Sequence, residues 1–305
     1  MRKSIVIILT VLLVTALLCS GCNTIIRTSD NREPGSGNTE TKEFDFSDFT
    51  EVDIGSAFDF EIVRSDTYSV TITADDNVFE HLRITQSGGT LNIGLEPFIN
   101  FGRLNLKANI TMPRLNGLDA SGATRGTVSG FSSGENLELS VSGASRVEMI
   151  EVTTGDIDGE ISGASTLKGI LNGGEMDIQV SGASTVNIDS VADDVALEVD
   201  GASTVKGSLA GGDVNVDLSG ASTVELTGTG GDLRIDASGA SHVRLGEFAV
   251  NNADIIFSGA SSGAVDCSGT MDIDVSGASR LSYSGEPSLG SIEVSGGSSI
   301  DRKDD

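Results

Sequence analysis

A four-residue phrase, Ser-Gly-Ala-Ser, limits what this chain can fold into. The phrase or a close variant starts at Ser121, Ser142, Ser162, Ser181, Asp200, Ser219, Ser238, Ser258, Ser276 and Ser295. Successive starts lie 18 to 21 residues apart. Self-similarity at a fixed short period marks a solenoid, in which each repeat is one supersecondary unit that buries its apolar face only by stacking on its neighbours.

The unit is made of strands. The residue before each phrase is apolar in all ten copies, from Ala120 and Val141 to Val275 and Val294. The residue three before is apolar in nine, with Gly159 the exception. Five after the phrase start comes a third apolar row, Val147, Leu167, Val186, Val205, Val224, Val243, Leu281 and Ile300, which Gly126 and Gly263 break. Apolar residues at spacing two describe a half-buried strand and not a helix. The phrase interrupts that alternation. Its glycines (Gly143, Gly163, Gly182, Gly201, Gly220, Gly239, Gly259 and Gly277) can take positive φ without steric cost, so they mark corners. A second break follows at Gly173-Gly174, Gly211-Gly212 and Gly230-Gly231. Each coil therefore holds two or three short strands. The expected fold is all-β: a right-handed parallel β-helix of about ten coils, forming a rod of about 45–50 Å at strand spacing.

The flanking segments divide the chain further. Residues 1–21 read as a signal peptide, with Arg2 and Lys3 ahead of the apolar run from Ile5 to Leu18, which is short for a membrane span. Leu18-Cys19-Ser20-Gly21-Cys22 resembles a bacterial lipobox, which implies lipidation of Cys22 and a membrane anchor. Cys19 departs from that pattern at a position where an aliphatic residue is preferred. The competing reading is an ordinary secretory signal. Residues 22–42 are polar and Gly/Ser-rich and read as a flexible tether. Residues 43–113 carry eight of the eleven phenylalanines, as expected for an atypical end unit closing the interior of residues 114–300; a small separate β-domain is the alternative. Residues 301–305 are a charged tail expected to block edge pairing.

Here a family resemblance becomes specific. Phe49-Thr50-Glu51-Val52-Asp53-Ile54, Phe58-Asp59-Phe60-Glu61-Ile62, Val70-Thr71-Ile72-Thr73-Ala74-Asp75-Asp76-Asn77, Gly89-Thr90-Leu91-Asn92-Ile93 and Ile110-Thr111-Met112-Pro113-Arg114-Leu115 follow in order and lead into the repeats. This arrangement resembles the head GIN domain family of putative auto-transporter adhesins. The resemblance implies an exported, β-helical envelope protein, and it brings no catalytic residues with it.

Charge and composition narrow the function. The formal charge is −26, and loss of residues 1–21 with Arg2 and Lys3 makes it −28. That balance argues against nucleic-acid binding and against docking on anionic lipid. Trp is absent. With Cys19 removed and Cys22 lipidated, Cys267 is left single, a small interior residue rather than a nucleophile.

Carboxylates recur at the outward positions two before the phrase, among them Asp217, Asp236 and Asp274, and others recur four before it. Stacked, they form acidic ladders. The favoured reading is a solvated face that keeps the rod soluble, with weak Ca2+ binding as the chemical alternative. No other cofactor is implied. A row of serines from Ser145 to Ser279, with Thr166, Thr185, Thr204 and Thr223 beside it, reads first as coil-to-coil hydrogen bonding and second as a hydroxyl surface for glycans. His242 and Arg244 read as a surface pair. The chain is expected to be an adhesin or surface-interaction protein of the cell envelope, meeting a surface glycan or an envelope protein through an extended face. The rivals are a polysaccharide lyase or hydrolase on the same fold and a purely structural envelope protein.

Overall fold

The computed structural model describes residues 32–97, 99 and 101–303. The signal segment, Cys22 and the first part of the tether, residues 22–31, lie outside them. The regular structure of the described chain is nearly all strand. One short 3-10 helix, Asp76–His81, interrupts it.

One coil explains the rest. β18 (Val214–Leu218) buries Val214, Val216 and Leu218 and exposes Asn215 and Asp217, the period-two pattern of a half-buried strand. The chain turns at Ser219–Ser222 and returns as β19 (Thr223–Thr229), turns again at Gly230-Gly231, and begins the next coil as β20 (Leu233–Ala237). Each regular coil thus holds two strands, not three. The strands stack in parallel register, Val199 on Leu218 and Leu218 on Ala237. The result is a β-solenoid with two facing sheets. Sheet I has fourteen strands, including β19, and sheet II has thirteen, including β18 and β20. The inward rows of both meet in one core cluster running from Phe49 to Leu281.

The corner glycines stack into a column. The eight named at the sequence level all have φ between 71° and 78°. The Ala221 N–H donates to Gly201 O at 2.7 Å, and the Ala240 N–H to Gly220 O at 2.7 Å, so the column is closed by main-chain bonds. A Cβ on Gly220 would stand 2.5 Å from Gly201 O, so both the left-handed conformation and the stacking distance call for glycine here.

The breaks in the apolar rows have partners. At Gly126 an added Cβ would overlap the Phe60 ring. At Gly263 it would lie 2.5 Å from the Phe257 ring, and at Gly159 it would lie 2.6 Å from Ile178 Cδ1. In each case a larger neighbour fills the volume the glycine leaves, and close packing is kept.

The first coil is concealed in the sequence. β2 (Glu51–Ile54) and β3 (Asp59–Arg64) stack on β8 (Gly117–Ala120) and β9 (Arg125–Ser129), joined by a corner at Gly55-Ser56-Ala57. There Ser56 and Ala57 carry the positive φ, 61° each. The chain then leaves the coil to build the end. β1 (Thr39–Phe44), β4 (Ser69–Asp75) and β7 (Leu106–Met112) run antiparallel to one another in sequence, and β7 lies parallel on β3. On sheet II, β5 (Leu82–Ser87) pairs antiparallel with β6 (Thr90–Leu95), which lies parallel on β2. Phe49 and Phe58 are fully buried under this end, and Phe49 packs on Tyr68 with ring centroids 4.9 Å apart.

Two expected boundaries are corrected. The tether expected over 22–42 ends earlier, because β1 begins at Thr39 and pairs with β4. The buried Asp75 carboxylate also accepts hydrogen bonds from the Gly37 N–H (3.0 Å) and from the Asn105 N–H (2.8 Å) and amide (3.0 Å). Burial pushes this carboxyl's pKa up, but the three bonds outweigh it and leave it below its ordinary value. At the other end, Asp301 and Arg302 are not tail residues. They belong to β27 (Ser299–Arg302), which lies parallel on β25 (Arg280–Ser284).

Candidate functional site: the acidic outer face of sheet II

The outward positions of sheet II stack into two rows. One runs through Asp53, Asp119, Ser140, Glu160, Gln179, Glu198, Asp217, Asp236, Ile256, Asp274 and Glu293. Eight of these eleven are acids. The parallel row holds Glu138, Asp158 and Asp177 in direct succession, then Ala196, Asn215, Arg234, Asp254 and Asp272. Arg234 is the one cation in the two rows, and it pairs with Asp254. Neighbours in a row stand about 4.8 Å apart at strand spacing, so like charges crowd. Asp119 registers this: burial, then Asp53 and Glu160, push its carboxyl above the ordinary range. Burial raises Asp53 as well.

The three residues proposed for Ca2+ do not form one ladder. Asp217 and Asp236 are direct neighbours in register, but Ile256 separates Asp236 from Asp274. Among the described residues no group of three or more His, Cys, Asp or Glu side chains could hold a metal ion. The physical reason is the register. Stacked side chains point the same way, whereas a Ca2+ site needs six to eight oxygens converging on one point.

A second ladder at the other corner escaped the sequence reading. Asp194 Oδ1 accepts the Asp213 N–H at 2.9 Å, Asp213 Oδ1 accepts the Asp232 N–H at 2.9 Å, and Asn252 Oδ1 accepts the Thr270 N–H at 2.8 Å. These side chains fasten each coil to the next. The signal was present as the recurring Gly-Gly-Asp at 211–213 and 230–232. Between this ladder and the outer row of sheet II lie two open depressions. One, of about 470 Å3, is lined by Asp213, Asp232, Arg234, Asp254 and Asp272; the other, of about 430 Å3, by Asn136, Glu138, Asp156, Asp158 and Asp177. Their size falls in the range of small-molecule sites, but such sites are mostly apolar, and here carboxylates supply four of the ten lining residues of the first and five of the nine of the second.

The serine row is not a surface. Ser145, Ser165, Ser184, Ser203, Ser222, Ser241, Ser261 and Ser279 are all at most 1% exposed, which excludes them from contacting a glycan. They bind coil to coil instead. The Ser145 N–H donates to Ser165 Oγ at 3.3 Å in the next coil, while Ser222 Oγ braces its own corner by donating to Ser219 O at 2.6 Å. Thr166, Thr185, Thr204 and Thr223 do stack outward on sheet I, but the row is only four long and ends at Arg146 and His242. Arg244 is paired: it and Lys206 each meet Glu225 at 3.0 Å and hold that carboxyl below its ordinary range, Lys206 most strongly. Cys267 is buried, and burial pushes its thiol up, away from the reactive thiolate. Cys22 lies outside the described residues.

The family model described as "Putative auto-transporter adhesin, head GIN domain" matches residues 48–192 and 177–287. Among solved structures, a putative adhesin from Parabacteroides distasonis is similar at 15% identity and a TM-score of 0.53, covering 90% of this chain and 100% of that one. A putative adhesin from Parabacteroides merdae is similar at 18% identity and a TM-score of 0.49, covering 90% of this chain and 99% of that one. No curated protein matches the sequence.

Proposed function

The chain belongs to the family of putative auto-transporter adhesins with a head GIN domain, and from that premise we propose that it is an exported adhesin of the cell envelope, anchored by lipid at Cys22, that docks a basic partner surface on the outer face of sheet II. The observation that carries this reading is the pair of stacked carboxylate rows, eight acids in eleven positions of one of them, on a face without insertions. Such a face presents a periodic negative potential to anything laid along it, and complementary charge gives register and fast encounter. The partner's chemistry is therefore a Lys- or Arg-rich segment of an envelope protein. The lipobox-like Leu18–Cys22 supports the anchor, and among the described residues no helix is long and apolar enough to cross a membrane. The family and the similar Parabacteroides distasonis structure at a TM-score of 0.53 are both described as putative adhesins, which supports this reading.

One experiment tests both parts. The chain is expressed in a bacterium with its own signal, with Cys22 intact or as Cys22→Ser, and the mature protein is offered an array of envelope proteins and polymers with poly-L-lysine as reference. Cys22 should keep the protein in the membrane fraction and the serine variant should release it. Binding should be saturable and should be lost in Glu198→Gln/Asp217→Asn/Asp236→Asn. It should survive the same loss of charge on sheet I, Asp189→Asn/Glu247→Gln/Asp266→Asn. Equal loss in both variants would remove sheet II as the docking face. Degradation of an array polymer would move the assignment to a lyase or hydrolase.

A further inference from the structure

Acids crowd sheet II, but the outer face of sheet I gathers cations. Four of the chain's nineteen Lys and Arg residues, Lys107, Arg125, Arg146 and Lys168, surround one open depression of about 520 Å3. Register puts them there. One outward row runs Lys107, Asp59, Arg125, Arg146 and Thr166, through β7, β3, β9, β11 (Arg146–Thr153) and β13 (Thr166–Asn172). The row beside it runs Asn109, Glu61, Thr127, Glu148 and Lys168 on the same strands. The lining thus sets four cations against three acids, in a chain of net charge −26. The next acids on this face are Glu43 and Glu151, each about 10 Å or more from the group by strand spacing and rise, and Asp66 is taken by Arg64. Lys206, beyond Asn187, is taken by Glu225.

Arg146 is the charge this register leaves uncompensated. Its neighbours in the row are Arg125 and Thr166. Glu148, two residues along its own strand, is held by Lys168 at 2.9 Å. Among the described residues the side chains of Arg125 and Arg146 make no ion pair or hydrogen bond, whereas farther along sheet I both Lys206 and Arg244 pair with Glu225. Two guanidinium groups on strands about 4.8 Å apart offer adjacent N–H forks to one planar anion. One net positive charge suits a monoanion. Asp59 and Glu61 at the same depression accept hydrogen bonds, and Thr127 both donates and accepts. A carboxylate carried on a body rich in hydroxyls uses all of these groups. An acidic protein surface would instead bring its own carboxylates against Asp59 and Glu61.

We propose that this depression on sheet I binds a carboxylate-bearing sugar of an anionic glycan, with Arg125 and Arg146 on the carboxylate and Asp59 and Glu61 on the hydroxyls. The site lies on the face opposite the acidic rows of sheet II, so a partner on one face leaves the other open. It depends neither on the lipid anchor nor on the sheet II reading. The net charge of the chain repels a long polyanion, so a short oligomer is the fitting probe.

Calorimetric titration of the full chain in detergent with trigalacturonate, at physiological salt, tests this. Binding should be saturable. The methyl-esterified trimer keeps its ring hydroxyls and loses its charge, and should bind at least about tenfold more weakly. Arg125→Gln and Arg146→Gln should each weaken binding about tenfold with the thermal melt unchanged. Arg280→Gln removes an exposed cation of the same row at a distant coil and should leave binding as it was. Asp59→Ala/Glu61→Ala makes the depression more positive, so bare charge attraction would strengthen, whereas a sugar held by its hydroxyls should bind about threefold or more weakly. The proposal is overturned by no saturable binding, by equal binding of the methyl ester, by equal loss in Arg280→Gln, or by tighter binding in Asp59→Ala/Glu61→Ala. Equal binding of a triglutamate peptide would also overturn it and make the depression a contact for acidic protein, a second copy's sheet II included.

Discussion

Truncating Phe257 to alanine is expected to destabilise the solenoid by about 3–5 kcal/mol, the usual cost of emptying a buried aromatic position. At roughly 2–4 °C per kcal/mol for a chain of this size, the melting temperature falls by about 10 °C. The ring is fully buried and occupies the space that Gly263 leaves in the inward row of sheet I. A second substitution isolates that contact. Gly263→Val alone overpacks the coil, since its Cβ would stand 2.5 Å from the ring, and costs about 1–3 kcal/mol. With Phe257 already alanine, the valine has room, and the double variant should recover about 1–3 kcal/mol relative to the sum of the singles. Denaturant melts of the four chains measure this coupling. Simple additivity would mean that the ring and the glycine are not packed as one unit.

Gly220→Val has the second large effect. The valine must adopt φ near 71° and bring Cβ to 2.5 Å from Gly201 O. The left-handed conformation alone costs an L-residue about 1–2 kcal/mol, and overlap with main chain adds to it, for a total near 3 kcal/mol. Gly134→Val, at an open bend with no atom within 4 Å of the added Cβ, should stay within about 0.5 kcal/mol of the unaltered chain. Thermal melts of the two variants make the comparison. If they were equally stable, the corner column would not require glycine.

These two sites also show what the sequence made legible. The period of the phrase and the apolar rows at spacing two were enough for the coil, the inward rows and the corner glycines, because each is a local consequence of stacking. Phe60 and Phe257 were harder to place. Phe60 lies far along the chain from Gly126, and only the register brings them together, whereas Phe257 reaches Gly263 from the facing strand of the same coil, across a corner. The corner at Gly55-Ser56-Ala57 went unrecognised because Ser56 and Ala57, rather than a glycine, take the positive φ. β1 could not be seen at all. Thr39–Phe44 is an exposed edge strand with no apolar alternation, held by main-chain pairing to β4.

The candidate surface was half legible. The acidic rows were read correctly as outward, since they alternate with the buried positions. The first reading of the serines, hydrogen bonding from coil to coil, agrees with the structure, and only the second, a hydroxyl surface, does not. Ser222 lies two residues before the buried Val224, so the same period that places the valine inside places the serine inside. The Ca2+ ladder failed for a different reason, since residue spacing reveals which acids share a row but not whether their oxygens converge.

The central claim is that the sheet II face acts as a sum of equivalent coils and not as a pocket. Removing residues 200–218 joins Val199 to Ser219 at matching points of the repeat, so the shortened chain keeps its register and should fold. Asp217 leaves with it, and Glu198 comes to lie beside Asp236. The measurement is poly-L-lysine binding by the full and shortened chains across a salt series. The account predicts a graded loss, with weaker binding and a shallower salt dependence in the shortened chain. Unchanged binding, or complete loss in a chain that still folds, would contradict it.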